Sequence, residues 1–172
     1  MTHSVLLDTS FIIRLLNDDD PLHNNALGYF KYFLEKDVSL YFSTISIAEY
    51  CVRGSISDLP LKNIRVLPFN IDHARRTGDF ARILFEKKKG GEIIKTPRTI
   101  IPNDSKLFAQ ADIENSINDF LTSDARSMKI WNILNLSFEI NFVLLILITL
   151  LMKFMEFCLS RMNNKLLSFF WN

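Results

Sequence analysis

The chain has 172 residues, a length that suits one domain with a hydrophobic core of its own. Hydrophobic residues make up 48% of the chain and charged residues 23%, which excludes both a disordered chain and a polytopic membrane protein. The formal net charge of +1 excludes a protein that holds nucleic acid only through a bulk basic field.

The cysteines and the amino terminus indicate the cellular compartment. Cys51 and Cys158 lie far apart and outside any CxxC or Cys/His cluster, so we expect neither a zinc site nor a disulfide framework. The opening segment, MTHSVLLDTS, has no basic region and no small-residue cleavage site, so we expect no signal peptide. These features predict a reducing, cytoplasmic location.

The first half of the chain predicts two strands and three helices. Ser4–Leu7 is a short apolar run typical of a buried strand. Phe11–Leu16 and then His23–Glu35 have the features of helices, the second with apolar residues at helical spacing. Ser39–Ser43 is a second apolar strand, and its polar end begins a helix that carries Glu49.

The second half of the chain continues the alternation of strands and helices. Three further strands are expected at Ile64–Phe69, Asn118–Leu121 and Ile133–Phe142. Asp72 is expected to cap a helix that runs to about Lys89 and stops at Gly90, and Asp104 is expected to open the next helix. Alternating strands and helices predict a parallel sheet covered on both faces.

The carboxyl-terminal part of the chain is unusually apolar. From Phe142 the sequence reads FVLLILITLLM before charged residues interrupt it, which is shorter than the roughly 20 residues that span a bilayer. We therefore divide the chain into a domain over residues 1–142 and an apolar extension over residues 143–172, which we expect to be helical. A buried or partner-facing helix, membrane attachment through residues 142–159 and a poorly ordered extension are the alternatives.

Four acidic residues follow predicted strands. Asp8 directly follows the first strand, Glu49 lies one turn into the helix after the second, Asp104 opens a helix, and Asp124 directly follows the fourth strand. The carboxyl ends of parallel strands form the crevice in which sites of open α/β sheets lie. Each acid alone also suits a helix cap or a turn. Their common placement at strand ends favours a single acidic site.

Such an acidic site predicts a bound divalent cation. Four adjacent carboxylates repel one another, and without a cation one or more of them would take up a proton. Oxygen ligands without a His or Cys cluster favour Mg²⁺ or Mn²⁺ over Zn²⁺. A cation of this kind suits hydrolysis of a phosphodiester, because it generates and orients hydroxide and neutralises charge on the phosphate.

A basic cluster lies between His73 and Arg98. It carries eight Lys and Arg residues against three acids. One interpretation is a solvated helix and loop, and the other is a patch that holds a phosphate backbone beside the acidic site. The candidate RNA contacts in this cluster are Arg75, Arg76 and Arg82.

Four segments resemble the signature motifs of PIN domains, in the order in which that family has them. VLLDTSFII resembles the opening motif, a strand that delivers the first acid with hydroxyl residues after it. STISIAEY resembles the second, IIPNDSKLFAQADIEN the third, and FLTSDARSM the fourth, a strand followed by a Thr/Ser-x-Asp turn. The resemblance extends from Ser4 to about Phe142.

The resemblance implies a three-layer α/β/α fold around a mostly parallel five-stranded sheet. It also implies Mg²⁺- or Mn²⁺-dependent endoribonuclease activity, as in VapC-type toxins, which usually form homodimers and are held inactive by a small antitoxin. By match to the motifs, the metal ligands and catalytic residues are Asp8, Glu49, Asp104 and Asp124. The residues expected to position a ligand or water are Thr9, Ser10 and Thr122.

Two departures from the family leave other function classes open. The helix after Asp104 is more polar than the alanine-rich helix of the family, and the apolar residues after Phe142 continue beyond the expected end of the domain. One alternative is a catalytically silent PIN-like binding module, although the presence of all four acids argues against it. The other is a membrane-associated protein built around residues 142–159.

Overall fold

The computed structural model of the protein describes residues 3–89 and 100–147, with side chains over residues 3–87 and 105–147. In chain order the elements are β1 (Ser4–Leu7), α1 (Thr9–Leu16), α2 (His23–Glu35), β2 (Ser39–Ser43), α3 (Thr44–Tyr50), β3 (Arg65–Leu67), α4 (Ile71–Lys89), α5 (Ile100–Ile113), β4 (Asp119–Thr122), α6 (Arg126–Ser137) and β5 (Val143–Ile146). A short 3₁₀ turn over Ile56–Asp58 lies between α3 and β3.

The five strands form one parallel sheet in the order β3-β2-β1-β4-β5. The chain moves from β1 outward to β3, and then crosses back to β4 and β5 on the other side of β1. Right-handed crossovers in opposite directions place helices on opposite faces of a sheet. The result is the predicted three-layer α/β/α architecture, with the topological switch point between β1 and β4.

Two hydrophobic cores lie on the two faces of this sheet. On β1, Val5 and Leu7 pack against α1 and α2, while Leu6 points to the opposite face and packs against α4, α5 and α6. All three side chains are fully buried. Burial of one such side chain stabilises the fold by about 1.5–3 kcal/mol, so the unbroken apolar run of β1 fixes the strand at the centre of the molecule.

An aromatic cluster anchors α5 to the sheet on the second face. The ring of Phe108 lies 5.0 Å from that of Phe120 in an edge-to-face arrangement and 5.6 Å from that of Phe142. These spacings are those of favourable aromatic pairs. The cluster ties α5 to β4 and to the residue before β5, and so fixes the helix that carries Asp104 relative to the strand that precedes Asp124.

Three helices begin earlier than the sequence predicts, and the first is α1, which begins at Thr9 and not at Phe11. The helix α4 begins at Ile71, and Asn70 Oδ1 accepts the His73 N–H at 3.0 Å, so Asn70 takes the capping role predicted for Asp72. Asparagine and aspartate cap helices equally well, which is why the sequence does not distinguish them. The helix α5 begins at Ile100, so Asp104 lies in its second turn and does not open it.

The strand predicted at Ile133–Phe142 is wrong. The helix α6 covers Arg126–Ser137, and its buried residues Ile130 and Leu134 have helical spacing. The apolar run is short and lacks strict alternation, and periodicity does not identify the element that such runs form.

The fifth strand comes instead from the start of the predicted extension. Val143–Ile146 pairs in parallel with β4, and its side chains alternate between the two cores, Leu144 on one face and Leu145 on the other. Residues 143–146, predicted to begin the extension, therefore belong to the sheet. Residues 148–172, expected to be helical, lie outside the described residues.

Over the described ranges, none of the helices is both long enough and apolar enough to cross a membrane.

Candidate active site

Asp8 lies at the switch point of the sheet, between the carboxyl ends of β1 and β4. Its backbone is extended (φ −78°, ψ 155°), and its Oδ1 accepts the Thr9 N–H at 2.8 Å, so it caps α1. Its own N–H donates to the Leu121 carbonyl at 2.9 Å. The residue is therefore held by both β1 and β4, in the crevice where sites of this architecture form.

Two hydroxyl groups fix the carboxylate of Asp8. Ser10 Oγ donates to Asp8 Oδ2 at 2.5 Å, and the fully buried Thr122 donates from Oγ1 to the same oxygen at 2.7 Å. Both hydroxyls also accept hydrogen bonds from the turn after β4. Ser10 Oγ accepts one from the Ser123 N–H, and Thr122 Oγ1 accepts one from the Asp124 N–H, each at 3.0 Å. This pair of hydroxyls connects Asp8 to the turn that carries Asp124.

Burial raises the pKa of Asp8 above its ordinary value. The hydrogen bonds from Ser10, Thr122 and the backbone lower the pKa, but they do not offset the cost of removing the carboxylate from water. The site therefore holds a carboxylate whose charged form is under-compensated by the protein groups around it. A cation bound beside Asp8 would favour that charged form.

Glu49 reaches the same place from the other side of β1. Ser43 ends β2 and caps α3, because its hydroxyl accepts the Ile45 N–H at 3.0 Å. This cap starts the helix so that Glu49 stands in its second turn, where Oε2 accepts a hydrogen bond from Thr9 Oγ1 at 2.7 Å. Thr9 thus donates its N–H to Asp8 and its hydroxyl to Glu49, and links the first two predicted acids.

Asp124 is held by an arginine of its own turn. Arg126 Nη2 donates to Asp124 Oδ2 at 2.6 Å, and Arg126 Nε lies 3.0 and 2.9 Å from the two carboxylate oxygens. The hydrogen bond from Arg126 is the main reason that the pKa of Asp124 is lowered. The Arg126 side chain is 66% exposed, so this pair lies at the rim of the crevice.

The structure brings the predicted acids together only in part. It links Asp8 to Glu49 through Thr9, and it links Asp8 to the turn of Asp124 through two hydroxyls. The side chain of Asp104 lies outside the described residues. Over residues 3–87 and 105–147, no three His, Cys, Asp or Glu side chains are grouped so that they could hold a metal ion.

The donor atoms at the switch point nonetheless have the chemistry that a hard cation prefers. They are the carboxylate oxygens of Asp8 and Glu49 and the hydroxyl oxygens of Thr9, Ser10 and Thr122, with no nitrogen or sulfur among them. Oxygen-only sites suit Mg²⁺ or Mn²⁺. The half-buried carboxylate of Asp8 would supply the negative charge that such a cation needs.

The three arginines predicted to contact RNA have different surroundings. Arg76 Nε donates to the buried Asp112 at 2.7 Å, and its guanidinium lies over the rings of Phe80 and Phe138 at 4.6 and 4.5 Å. Arg75 and Arg82 are exposed. Arg76 therefore contributes to the packing of α4 against its neighbours, and an RNA contact by any of the three stays a prediction.

A residue near the site that the sequence did not single out is Arg14. Its Nε donates to Ser123 Oγ at 2.6 Å, and its Nη1 donates to both carboxylate oxygens of Asp20. An arginine in the last turn of an amphipathic helix is usually a solvent-facing residue that favours the helix dipole. Its partner Ser123 is 109 positions away, so no local pattern signals the contact.

No family model matches the chain, and no curated protein sequence matches it. Solved structures are similar to it. VapBC2 from Rickettsia felis, bound to a DNA fragment from its promoter, superposes with a TM-score of 0.55 at 18% identity, over 83% of this chain and 97% of that chain. The DNA-bound VapBC of Salmonella typhimurium gives a TM-score of 0.49 at 18% identity, over 75% of this chain and 92% of that chain. Mycobacterium tuberculosis VapC20, a toxin that cleaves the sarcin-ricin loop, gives a TM-score of 0.46 at 16% identity, over 73% of this chain and 93% of that chain.

The first of these similarities carries the assignment. The chain has the three-layer α/β/α fold of the VapBC2 structure, and the PIN-like fold predicted from the four sequence motifs is confirmed.

Proposed function

We propose that this chain is a divalent-metal-dependent endoribonuclease and the toxin of a type II toxin–antitoxin pair. The observation that carries the proposal is the position of Asp8, which lies half-buried at the topological switch point and is linked by Thr9 to Glu49. A desolvated carboxylate in a crevice is a candidate for chemistry rather than for stability. The fold shared with VapBC2 supports the toxin–antitoxin part of the proposal.

In this proposal the metal-holding residues are Asp8, Glu49, Asp104 and Asp124. When bound, Mg²⁺ or Mn²⁺ supplies an activated water and neutralises charge on the phosphate that is cut. Ser10 and Thr122 orient the Asp8 carboxylate, and the Thr9 hydroxyl orients that of Glu49. Partners of this kind keep ligand side chains in one geometry.

RNA would approach over the basic part of α4. We propose that Arg75 and Arg82, both exposed, contact the phosphate backbone, with Arg76 as a further candidate. Arg82 lies 4.0 Å from both Asp79 and Glu86, a loose ion-pair geometry that a phosphate could displace. Replacement of Arg75 or Arg82 by Ala should weaken RNA binding uniformly across sequences and reduce its dependence on salt.

The remaining partners follow from the same family resemblance. We propose a cognate antitoxin protein that inhibits the nuclease, a homodimer of the chain, and a cytoplasmic location. The competing function is a catalytically silent PIN-like binding module. The ion pair between Asp124 and Arg126 favours that alternative, because it engages one of the four acids with a protein cation.

Cleavage of RNA by purified protein tests the proposal. The wild-type chain and Asp8→Asn are incubated with total cellular RNA in Mg²⁺ or Mn²⁺, and again with EDTA. Asp37→Asn is the matched control, because it makes the same chemical change at an exposed position before β2, where φ is 51° and asparagine is well tolerated. We expect cutting by the wild type and by the control, and none by Asp8→Asn or with EDTA. No cutting by any protein, without metal binding in calorimetry, would favour the silent module.

A further inference from the structure

Arg14, in the last turn of α1, connects two segments outside its own helix. Its Nε donates to Ser123 Oγ at 2.6 Å, and its Nη1 donates to the two carboxylate oxygens of Asp20 at 2.8 and 2.9 Å. The Arg14 side chain is 29% exposed, and Ser123 is buried. Because a guanidinium is planar and these bonds fix it from two directions, Arg14 is held in one orientation. We call Arg14, Ser123 and Asp20 the Arg14 bridge.

Ser123 is bound to α1 at two points. Its N–H donates to Ser10 Oγ at 3.0 Å, and its hydroxyl accepts from Arg14 Nε. Ser10 and Arg14 are four residues apart, so they lie on the same face of α1, one turn from each other. Ser10 in turn donates to Asp8 Oδ2. The backbone of Ser123, one residue before Asp124, is thereby fixed against the helix that begins at Asp8.

We propose that Arg14 is a positioning residue, which holds the turn after β4 against α1 and so sets the placement of Asp124 relative to Asp8. The importance of those two acids rests on the function proposed above. Arg14 does not contact either carboxylate directly, and it acts on Asp124 through Ser123. The Asp20 carboxylate completes the bridge, because it orients the guanidinium from the loop between α1 and α2.

The sign of the effect on cation binding separates this role from simple electrostatics. A guanidinium near an acidic site repels a bound cation, so loss of the Arg14 charge alone should tighten cation binding. A positioning role predicts the opposite result. Without Arg14 the turn that carries Asp124 keeps its hydrogen bonds to Ser10 and Thr122 but is held less firmly against α1. Cation binding should then weaken although a positive charge has been removed.

Arg126 provides the matched control. It contacts the Asp124 carboxylate itself, with Nη2 at 2.6 Å from Oδ2. Removal of this side chain takes away a positive charge and also leaves the carboxylate oxygens available to a cation. The same substitution at two arginines, each bonded to the same turn, should therefore change cation affinity in opposite directions.

The first experiment is a calorimetric titration of Mn²⁺ into the full chain. We expect Arg14→Met to weaken binding about tenfold, the effect expected when an outer partner of a metal site is lost. Ser123→Ala should weaken Mn²⁺ binding to a similar extent. The variant with both substitutions should bind no more weakly than the weaker of the two single variants, because both substitutions remove the same contact between Arg14 and Ser123. Arg14→Lys, which keeps the charge but loses the Nε bond, should resemble Arg14→Met. Arg126→Met should bind Mn²⁺ more tightly than the wild type.

The second experiment measures amide hydrogen exchange by NMR on the metal-free protein. In Arg14→Met, the amides of Ser123 and Asp124 should exchange about tenfold faster, while those of Leu6 and Leu7 in β1 should be unchanged. If Arg14→Met does not fold, Ser123→Ala makes the same test from the other end of the contact. Tighter Mn²⁺ binding by Arg14→Met, or unchanged exchange at Ser123 and Asp124, would overturn the inference. A wild type that binds no Mn²⁺, together with faster exchange in the variant, would contradict the proposed function while supporting the Arg14 bridge.

Discussion

Thr122 Oγ1 donates a hydrogen bond to Asp8 Oδ2 at 2.7 Å, across the boundary between β4 and β1. The two residues are 114 positions apart in the chain. Thr122 is the last residue of β4, and Asp8 directly follows β1. The contact exists because β1 and β4 are parallel neighbours whose carboxyl ends meet. It fixes the central carboxylate of the candidate site to the strand that leads to Asp124.

Thr122→Val tests this contact. The substitution keeps the shape of the side chain, but it removes the donor to Asp8 and the acceptor of the Asp124 N–H. We expect the free energy of unfolding to fall by about 1–3 kcal/mol, because buried groups lose their partners. RNA cleavage should fall by about ten- to a hundredfold, because the Asp8 carboxylate loses its orientation. Urea unfolding and cleavage rates measure the two effects.

Thr77→Val is the control for that variant. Thr77 Oγ1 also donates a partly buried hydrogen bond, to the His73 carbonyl within α4, but Thr77 lies outside the acidic crevice. We expect a modest loss of stability and an unchanged cleavage rate. Equal losses of cleavage in the two threonine variants would contradict the role assigned to Thr122.

Cation binding at Asp8 should appear as thermal stabilisation. A ligand that binds only the folded state raises stability by about 2.7 kcal/mol when its concentration is about 100 times its Kd. We therefore expect the Tm of the wild type to rise with added Mn²⁺ and to return after EDTA. Asp8→Asn should fold and show no such rise, whereas Asp37→Asn should behave like the wild type. A Mn²⁺-dependent rise in Asp8→Asn would show that the cation binds elsewhere.

The Arg14–Asp20 ion pair predicts a pH-dependent contribution to stability. The pKa of Asp20 is lowered, first by the Leu22 N–H and then by Arg14. When folding lowers the pKa of an acid, the acid stabilises the fold at any pH above its unfolded-state pKa. This contribution is lost as the pH falls through the folded-state pKa. Asp20→Asn should therefore be less stable than the wild type at neutral pH, and the difference should disappear in strong acid. The midpoints of urea unfolding, measured from neutral pH to strong acid, give the stability difference between the two proteins. A difference that does not change with pH would contradict the ion pair.

Arg76 and Arg82 should differ in their effect on stability, although both are arginines of α4. Arg76 pairs with Asp112, whose side chain is only 2% exposed, so Arg76→Ala leaves a buried carboxylate without its cation. We expect a loss of about 3 kcal/mol for that change. Arg82 is 63% exposed and its ion pairs are 4.0 Å long, so Arg82→Ala should cost less than about 0.5 kcal/mol. Chemical denaturation of both variants makes the comparison, and equal losses would contradict the packing role of Arg76.

Much of the fold could be predicted from local sequence. The bounds predicted for the first strand, the second helix and the second strand agree with β1, α2 and β2. Each of these segments has an unambiguous pattern, either an apolar run between polar residues or apolar positions at helical spacing. The segment Ile133–Phe142 was predicted wrongly because its apolar residues fit more than one element. Its assignment depends on β5, which takes the edge position beside β4.

The candidate site could be predicted only in outline. The sequence indicates the order of Asp8, Glu49 and Asp124 and the strand ends that they follow. It does not indicate that Thr9 donates to the first two, or that Arg126 binds the third. These contacts depend on side-chain geometry after packing. The helix start at Ile100, which moves Asp104 into a second turn, likewise differs from the local pattern.

The sequence by itself therefore determined the alternation of strands and helices and the placement of acids at strand ends, because hydrophobic period and capping act over a few neighbouring residues. Only the tertiary structure decided which of those ends meet. The order β3-β2-β1-β4-β5 follows from burying both faces of the whole sheet at once, and it alone brings Thr122 to Asp8 and Ser123 to Arg14. Contacts across more than a hundred positions form when the complete sheet packs, since no short segment contains both partners.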